Sequence, residues 1–274
     1  MKVQEHYVND WLYDNLQLLG KRVELKWDGL LYIGGKEGDG KSTLAGQIAW
    51  VLDPTYNIDR CIFTPQQFID AVENAQPKQA IVYDEAQDVF DSYSGRDPQS
   101  RIIKSLLTRI RRKQLYIIIV APDFWRINKY LFIQRSLCFI LVYSVGLRRG
   151  AFRFYGDKAK HRLYIKGKKE ENIDVSDPDF FGNFTNWFPL DDEAYNDKKE
   201  AAEREIGKRK DDAMDAKKYA RDVRDSQIRL LGWLNTNRWL KKGGFKAGTG
   251  FLGITPQYGF EKLRNLKDSE ENEE

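Results

Sequence analysis

The chain has 274 residues, of which 41% are hydrophobic and 31% charged, with a formal net charge of +4. Such a balance fits a soluble globular protein, either one large domain or a domain with an appendage, and the charge alone is too small to identify a nucleic-acid binder. No apolar run approaches the roughly 18 residues of a membrane span, and Glu5, Asp10 and Asp14 stand where a signal peptide would be apolar, so no membrane insertion and a cytoplasmic location are expected. Cys61 and Cys138 both fall in apolar runs and read as buried thiols, and two histidines in all exclude a His-rich zinc site.

In chain order, Val8, Trp11, Leu12, Leu16 and Leu19 recur at helical spacing and predict an amphipathic helix over residues 1–20, closed by Gly20. Val23, Leu25 and Trp27 alternate with charged residues, which predicts a half-exposed strand. Asp28-Gly29 then reads as a hairpin turn into the apolar strand Leu30, Leu31, Tyr32, Ile33. That strand leads into Gly35-Lys36-Glu37-Gly38-Asp39-Gly40-Lys41-Ser42, which fits G-x-x-x-x-G-K-[ST] at every fixed position, and a helix-compatible run from Thr43 to Leu52 follows. Strand, glycine loop and helix in this order make a phosphate site, because the loop turns its N–H groups inward and the helix N-terminus adds partial positive charge. The expected nucleotide-binding set is Gly35, Gly38, Asp39, Gly40, Lys41, Ser42 and Thr43. Lys41 would reach the β- and γ-phosphates and Ser42 would ligate magnesium.

A second β-α step is read at the strand Arg60 to Phe63 and the helix Pro65 to Asn74, with Thr64 as cap. The next apolar strand, Ala80 to Tyr83, ends in Asp84-Glu85, the form of a Walker B element. Asp84 would hold the magnesium shell, and Glu85 would act as general base on the attacking water. Ser100 to Lys113 reads as a helix with one buried face, and Arg109, Arg111 and Arg112 on its basic face are candidate DNA contacts. The strand Leu115 to Ala121 ends at Pro122-Asp123. A helix-compatible segment runs to Gln134, a strand covers Leu137 to Tyr143, and a β-hairpin is expected at residues 152–155 and 163–165 around a basic turn, Lys158 to Arg162. These elements make an α/β domain over residues 1–170.

Residues 171–199 are rich in aromatics without period and read as an ordered, extended arm crossing the surface. Residues 200–225 interleave opposite charges at i to i+4 spacing, as an exposed helix does. Hydrophobicity returns over residues 226–267 in a small helical module. There the turn Leu252-Gly253-Ile254-Thr255 fits either a DNA-binding helix-turn-helix or a docking module for a protein partner. Residues 268–274 form an acidic tail.

The Walker pair, with a strand at residues 115–121 that would lie between the P-loop and Walker B strands, resembles the additional-strand (ASCE) class of P-loop ATPases. Within that class the Asp84-Glu85-Ala86-Gln87 sequence is similar to the zonular-occludens-toxin-like and FtsK/HerA-like ATPases of phages, mobile elements and archaeal viruses. The resemblance covers about residues 25 to 145. It implies a RecA-like core with a mostly parallel sheet flanked by helices, followed here by the C-terminal helical module. It also implies ATP and Mg2+ as cofactors and a homo-oligomer that moves DNA in packaging, transfer or export, in the host cytoplasm if the chain is viral. Lys41, Ser42, Asp84 and Glu85 match residue by residue, and Asp123 takes the place of the γ-phosphate sensor, where Gln, Asn, Ser or Thr is usual. An arginine finger would come from Arg135 or Arg126. The expected function is Mg-dependent ATP hydrolysis coupled to DNA handling or translocation. The alternative is an ATP-dependent switch or scaffold whose C-terminal module binds a DNA site or a protein partner. A small-molecule kinase is disfavoured, because Asp-Glu at a strand end supplies a base that activates water.

Overall fold

The computed structural model describes residues 2–3, 6–27, 29–86 and 110–236, with isolated positions between 246 and 264. Contacts group the chain into two units, Met1–Glu203 and Arg204–Glu274. The first unit opens with two short antiparallel strands, β1 (Lys2–Val3) and β2 (His6–Tyr7). Helix α1 (Asp10–Glu24) follows, capped by the Asn9 side chain, which accepts a hydrogen bond from the Leu12 N–H. Next come β3 (Gly29–Gly34), α2 (Lys41–Leu52), β4 (Cys61–Ile62), α3 (Pro65–Asn74) and β5 (Ala80–Tyr83). After these come β6 (Tyr116–Val120), a π-helical turn at Tyr130–Arg135, β7 (Cys138–Val145) and β8 (Arg148–Tyr155). Helix α4 (Asp157–Gly167), β9 (Phe180–Asn183) and the long helix α5 (Asp192–Thr236) complete the order.

Seven of these strands form one sheet in the order β4-β5-β6-β3-β7-β8-β9. The pairings from β4 to β7 are parallel, and β8 and β9 add antiparallel. Every residue of β3, β5 and β6 is buried, as parallel strands covered by helices on both faces require. One layer of the core packs Tyr32, Phe68, Tyr83, Phe132 and Phe139, and the other packs Leu16, Ile33, Leu44, Ile48 and Val142. β6 therefore lies between the P-loop strand β3 and the strand β5 that ends at Asp84, and the core is an additional-strand, RecA-like α/β fold.

Two expected hairpins are corrected. Val23 belongs to α1, which begins at Asp10 rather than in the first residues and runs past Gly20 to Glu24. The buried register Leu12, Leu16, Leu19, Val23 carries the helix through the glycine, while Leu25 and Trp27 are exposed rather than half-buried in a strand. Likewise, residues 163–165 belong to α4. The buried positions Ala159, Lys160, Leu163, Tyr164 and Gly167 follow helical spacing, and the antiparallel partners of β8 are β7 and β9. Most of the helix expected over residues 100–113 lies outside the described residues, as do Arg109 and nearly all of the 237–274 segment. Of the expected helical module, the structure describes α5 through Thr236.

Both cysteines are buried, and burial pushes each thiol up to about 12. Only the thiolate reacts. Neither should therefore be alkylated at pH 8 in the folded protein, while both react in denaturant. Rapid native labelling of either, located by peptide mass, would contradict this placement.

Candidate nucleotide site

The phosphate loop is shaped by three glycines in the left-handed region, Gly35 (φ 142), Gly38 (φ 81) and Gly40 (φ 97). Gly35 also sits against the backbone of β7, where a Cβ would lie 2.2 Å from the Val142 carbonyl oxygen. Gly40 is the N-cap of α2 and no side chain caps that helix, so its first N–H groups are left for an anion. Asp39 braces the loop. Its carboxylate accepts from the Lys36 N–H at 3.1 Å and from the Ser144 hydroxyl at 2.6 Å, which ties the loop to β7. Lys41, the first residue of α2, donates to the Lys36 carbonyl at 2.8 Å. Burial lowers the pKa of its ammonium, and the charges of Asp84, Asp39, Glu37 and Glu85 oppose that shift.

Asp84 and Glu85 follow the last residue of β5, at the same carboxyl-end edge of the parallel sheet as the loop, where open α/β sheets bind ligands. Asp84 is buried and Glu85 is exposed. Glu85 has φ 56, a left-handed conformation uncommon for a non-glycine residue. The turn is held by the Asp84 N–H on Ile62 O at 2.8 Å, the Ala86 N–H on Val120 O at 3.0 Å and the Glu85 N–H on the Asp84 carboxylate at 3.0 Å.

The aromatic arm laces over this site. Gln47 of α2 donates its amide to the carbonyls of both Thr185 (2.7 Å) and Trp187 (2.6 Å), and the Trp187 ring stacks on His6 with centroids 3.8 Å apart. Phe184 packs on Gly40, and Phe188 packs on Gly46 so closely that a Cβ there would lie 2.8 Å from its ring. From the first turns of α5, the Tyr195 hydroxyl donates to the Asp84 carboxylate at 2.6 Å, and Ser42 neighbours it. Burial, and then the Asp84 charge, push that phenol far above its ordinary pKa, so it stays a neutral donor. Lys199 pairs with Glu85 at 2.5 Å. Burial disfavours its charge, but the hydrogen bond and charge of Glu85 outweigh this and raise its pKa.

Ser42 and Asp84 are the residues that would hold magnesium. Both lie beside the Tyr195 hydroxyl, in one corner of the site, as two ligands of a hard cation must. When bound, magnesium would neutralise phosphate charge. Among the described residues no cluster of three or more His, Cys, Asp or Glu offers an all-protein metal cage. Thr43 lies in α2, partly buried, next to Ser42.

The other candidates are spread more widely. Asp123 caps a 3₁₀ turn at Phe124–Arg126 beyond the end of β6, accepting from the Trp125 N–H at 2.9 Å, and Arg126 closes that turn on the surface. Arg135 stands just before β7, at the strand ends opposite the phosphate loop. Arg111 is drawn to that same far edge, donating to Lys26 O at 2.6 Å, and Arg112 is exposed beside it. Tyr195 and Lys199 were missed by sequence reasoning. The one available signal was the wealth of aromatics over residues 171–199, to which Tyr195 belongs.

No protein-family model matches the sequence, and no curated protein is significantly similar to it. Solved structures give weak overall matches. The genome packaging NTPase B204 of Sulfolobus turreted icosahedral virus 2, in complex with ATP-gammaS, is 12% identical over 49% of this chain and 94% of its own, with TM-score 0.35. The N-terminal domain of zonular occludens toxin from Neisseria meningitidis is 16% identical over 62% of this chain and 98% of its own, with TM-score 0.38. The FIGL-1 AAA domain in complex with ADP is 12% identical over 69% of this chain and 85% of its own, with TM-score 0.33. No helix among the described residues is long and apolar enough to cross a membrane.

Proposed function

We propose that the chain is a magnesium-dependent P-loop ATPase that couples hydrolysis to DNA handling or translocation. One observation carries the ATPase reading. The sheet brings Lys41 and Ser42 to the same edge as Asp84 and Glu85, and the additional strand β6 separates them. Lys41 and the α2 N-terminus hold phosphate, Ser42 and Asp84 hold the cation, and Glu85 takes the proton of the attacking water. The reading includes a homo-oligomer, in which Arg135, at the strand ends opposite its own phosphate loop, would act as an arginine finger on a neighbour's site.

The DNA part is supported by α4, whose exposed side carries Lys158, His161, Arg162 and Lys166, followed by Lys169. The carboxylate on its first turn, Asp157, is already paired with buried Lys160 at 3.5 Å. Fluorescence anisotropy with a DNA duplex, at several salt concentrations, tests this. The double variant Lys158→Ala/Arg162→Ala should weaken binding and reduce the slope of log affinity against log salt by about two. ATP turnover that is equal with and without DNA, together with no DNA binding at low salt, would remove the DNA reading and leave the ATPase.

A further inference from the structure

We propose that residues 184–203 form an internal clasp that competes with the nucleotide. Tyr195 holds the Ser42–Asp84 corner and Lys199 holds the Glu85 carboxylate until ATP displaces both. The inference rests on the ATPase reading of this site and adds the element that controls it.

The contacts converge on the chemistry. Of the four side chains that define the site, Asp84 is bonded to Tyr195, whose hydroxyl also neighbours Ser42, and Glu85 is paired with Lys199. Both pairings are braced by their surroundings. The Tyr195 ring is fixed between Phe63 and Phe188, with centroids at 5.4 and 5.2 Å and edge-on geometry to both. Lys198, the neighbour of Lys199, anchors the same turn by donating to Ile58 O at 2.7 Å. The clasp also has tethers that do not touch the reacting groups, namely Gln47 to Thr185 and Trp187, and Trp187 against His6. The segment can therefore release Asp84 and Glu85 without leaving the domain. Charge supplies the trigger. A triphosphate on the loop brings anionic oxygens that compete with Glu85 for Lys199, which frees the Glu85 carboxylate to face the attacking water. With Oδ1 accepting from the Glu85 N–H and Oδ2 from the Tyr195 hydroxyl, the Asp84 carboxylate is less available to a cation until the clasp lets go.

The test uses the full chain with a fluorescent ATP analogue for affinity and steady-state turnover for rate. Tyr195→Phe keeps the ring between its aromatic neighbours and removes only the hydroxyl. It should tighten analogue binding about tenfold, the equivalent of one hydrogen bond to a charged group. Lys199→Met should lower the ATP concentration that gives half-maximal turnover several-fold, and Lys199→Arg, which keeps the charge, should restore most of the restraint. Weaker or unchanged analogue binding in Tyr195→Phe overturns the proposal, as does a rise or no change in that half-saturating concentration for Lys199→Met. A rise would mark Lys199 as a phosphate contact instead. If no variant nor the wild type hydrolyses ATP but Tyr195→Phe still tightens binding, the clasp stands and the hydrolysis reading fails.

Discussion

Glu85→Gln is expected to lower ATP turnover by about 10²- to 10⁴-fold, the range a positioned general base contributes, while ATP still binds. The amide is nearly isosteric, and Glu85 is exposed with its backbone held by hydrogen bonds from the neighbouring turn, so the fold should not change. Lys199 would lose its ion-pair partner, so binding should hold or improve. Turnover assays and retention of radiolabelled ATP on the purified protein check both halves, and turnover within a factor of ten of wild type would remove Glu85 from the role of base. The same variant separates motor from switch. A motor loses DNA translocation with ATP trapped, whereas a binding-only switch keeps its partner interaction.

Gly35→Ala is expected to abolish nucleotide binding and to destabilise the first unit by about 3 kcal/mol or more, combining left-handed backbone strain with overpacking. The reason is local and severe, since the added Cβ would fall 2.2 Å from the Val142 carbonyl oxygen, a backbone atom that cannot rotate away. Urea unfolding and analogue titration measure the two effects. Gly38→Ala is the comparison. Gly38 also has positive φ (81), but nothing lies within 4 Å of its Cβ position, so it should carry only the strain. Equal losses in the two variants would mean that conformation, and not the approach of β7, makes Gly35 necessary.

The phosphate loop and the Asp84-Glu85 strand end were legible because each is a local pattern, an apolar run that stops at residues whose chemistry has one use. The position of β6 between them followed from the resemblance, and the parallel registers of β3 and β5 with β6 agree with it. The misread segments share one cause. Val23-Glu24-Leu25-Lys26-Trp27 and Leu163-Tyr164-Ile165 are too short for period 2 and period 3.6 to be told apart, and tertiary burial of Val23 and Leu163 decided for the helix. The clasp was illegible for a different reason. Tyr195 and Lys199 lie 111 and 114 residues beyond their partners Asp84 and Glu85, at the end of a stretch without period that read as an extended arm crossing the surface.

The intervening strand β6 has one further consequence. Hydrogen-bonded strands lie about 4.8 Å apart, so the strand that leads into the glycine loop and the strand that ends at Asp84 are held roughly 10 Å apart by backbone bonds alone. Tyr116 to Val120 acts as a ruler, fully buried and paired on both sides, that no ligand can stretch. Motion during a catalytic cycle must then be carried by parts outside the sheet. At this site those parts are the left-handed turn at Glu85, the aromatic arm and the first turns of α5.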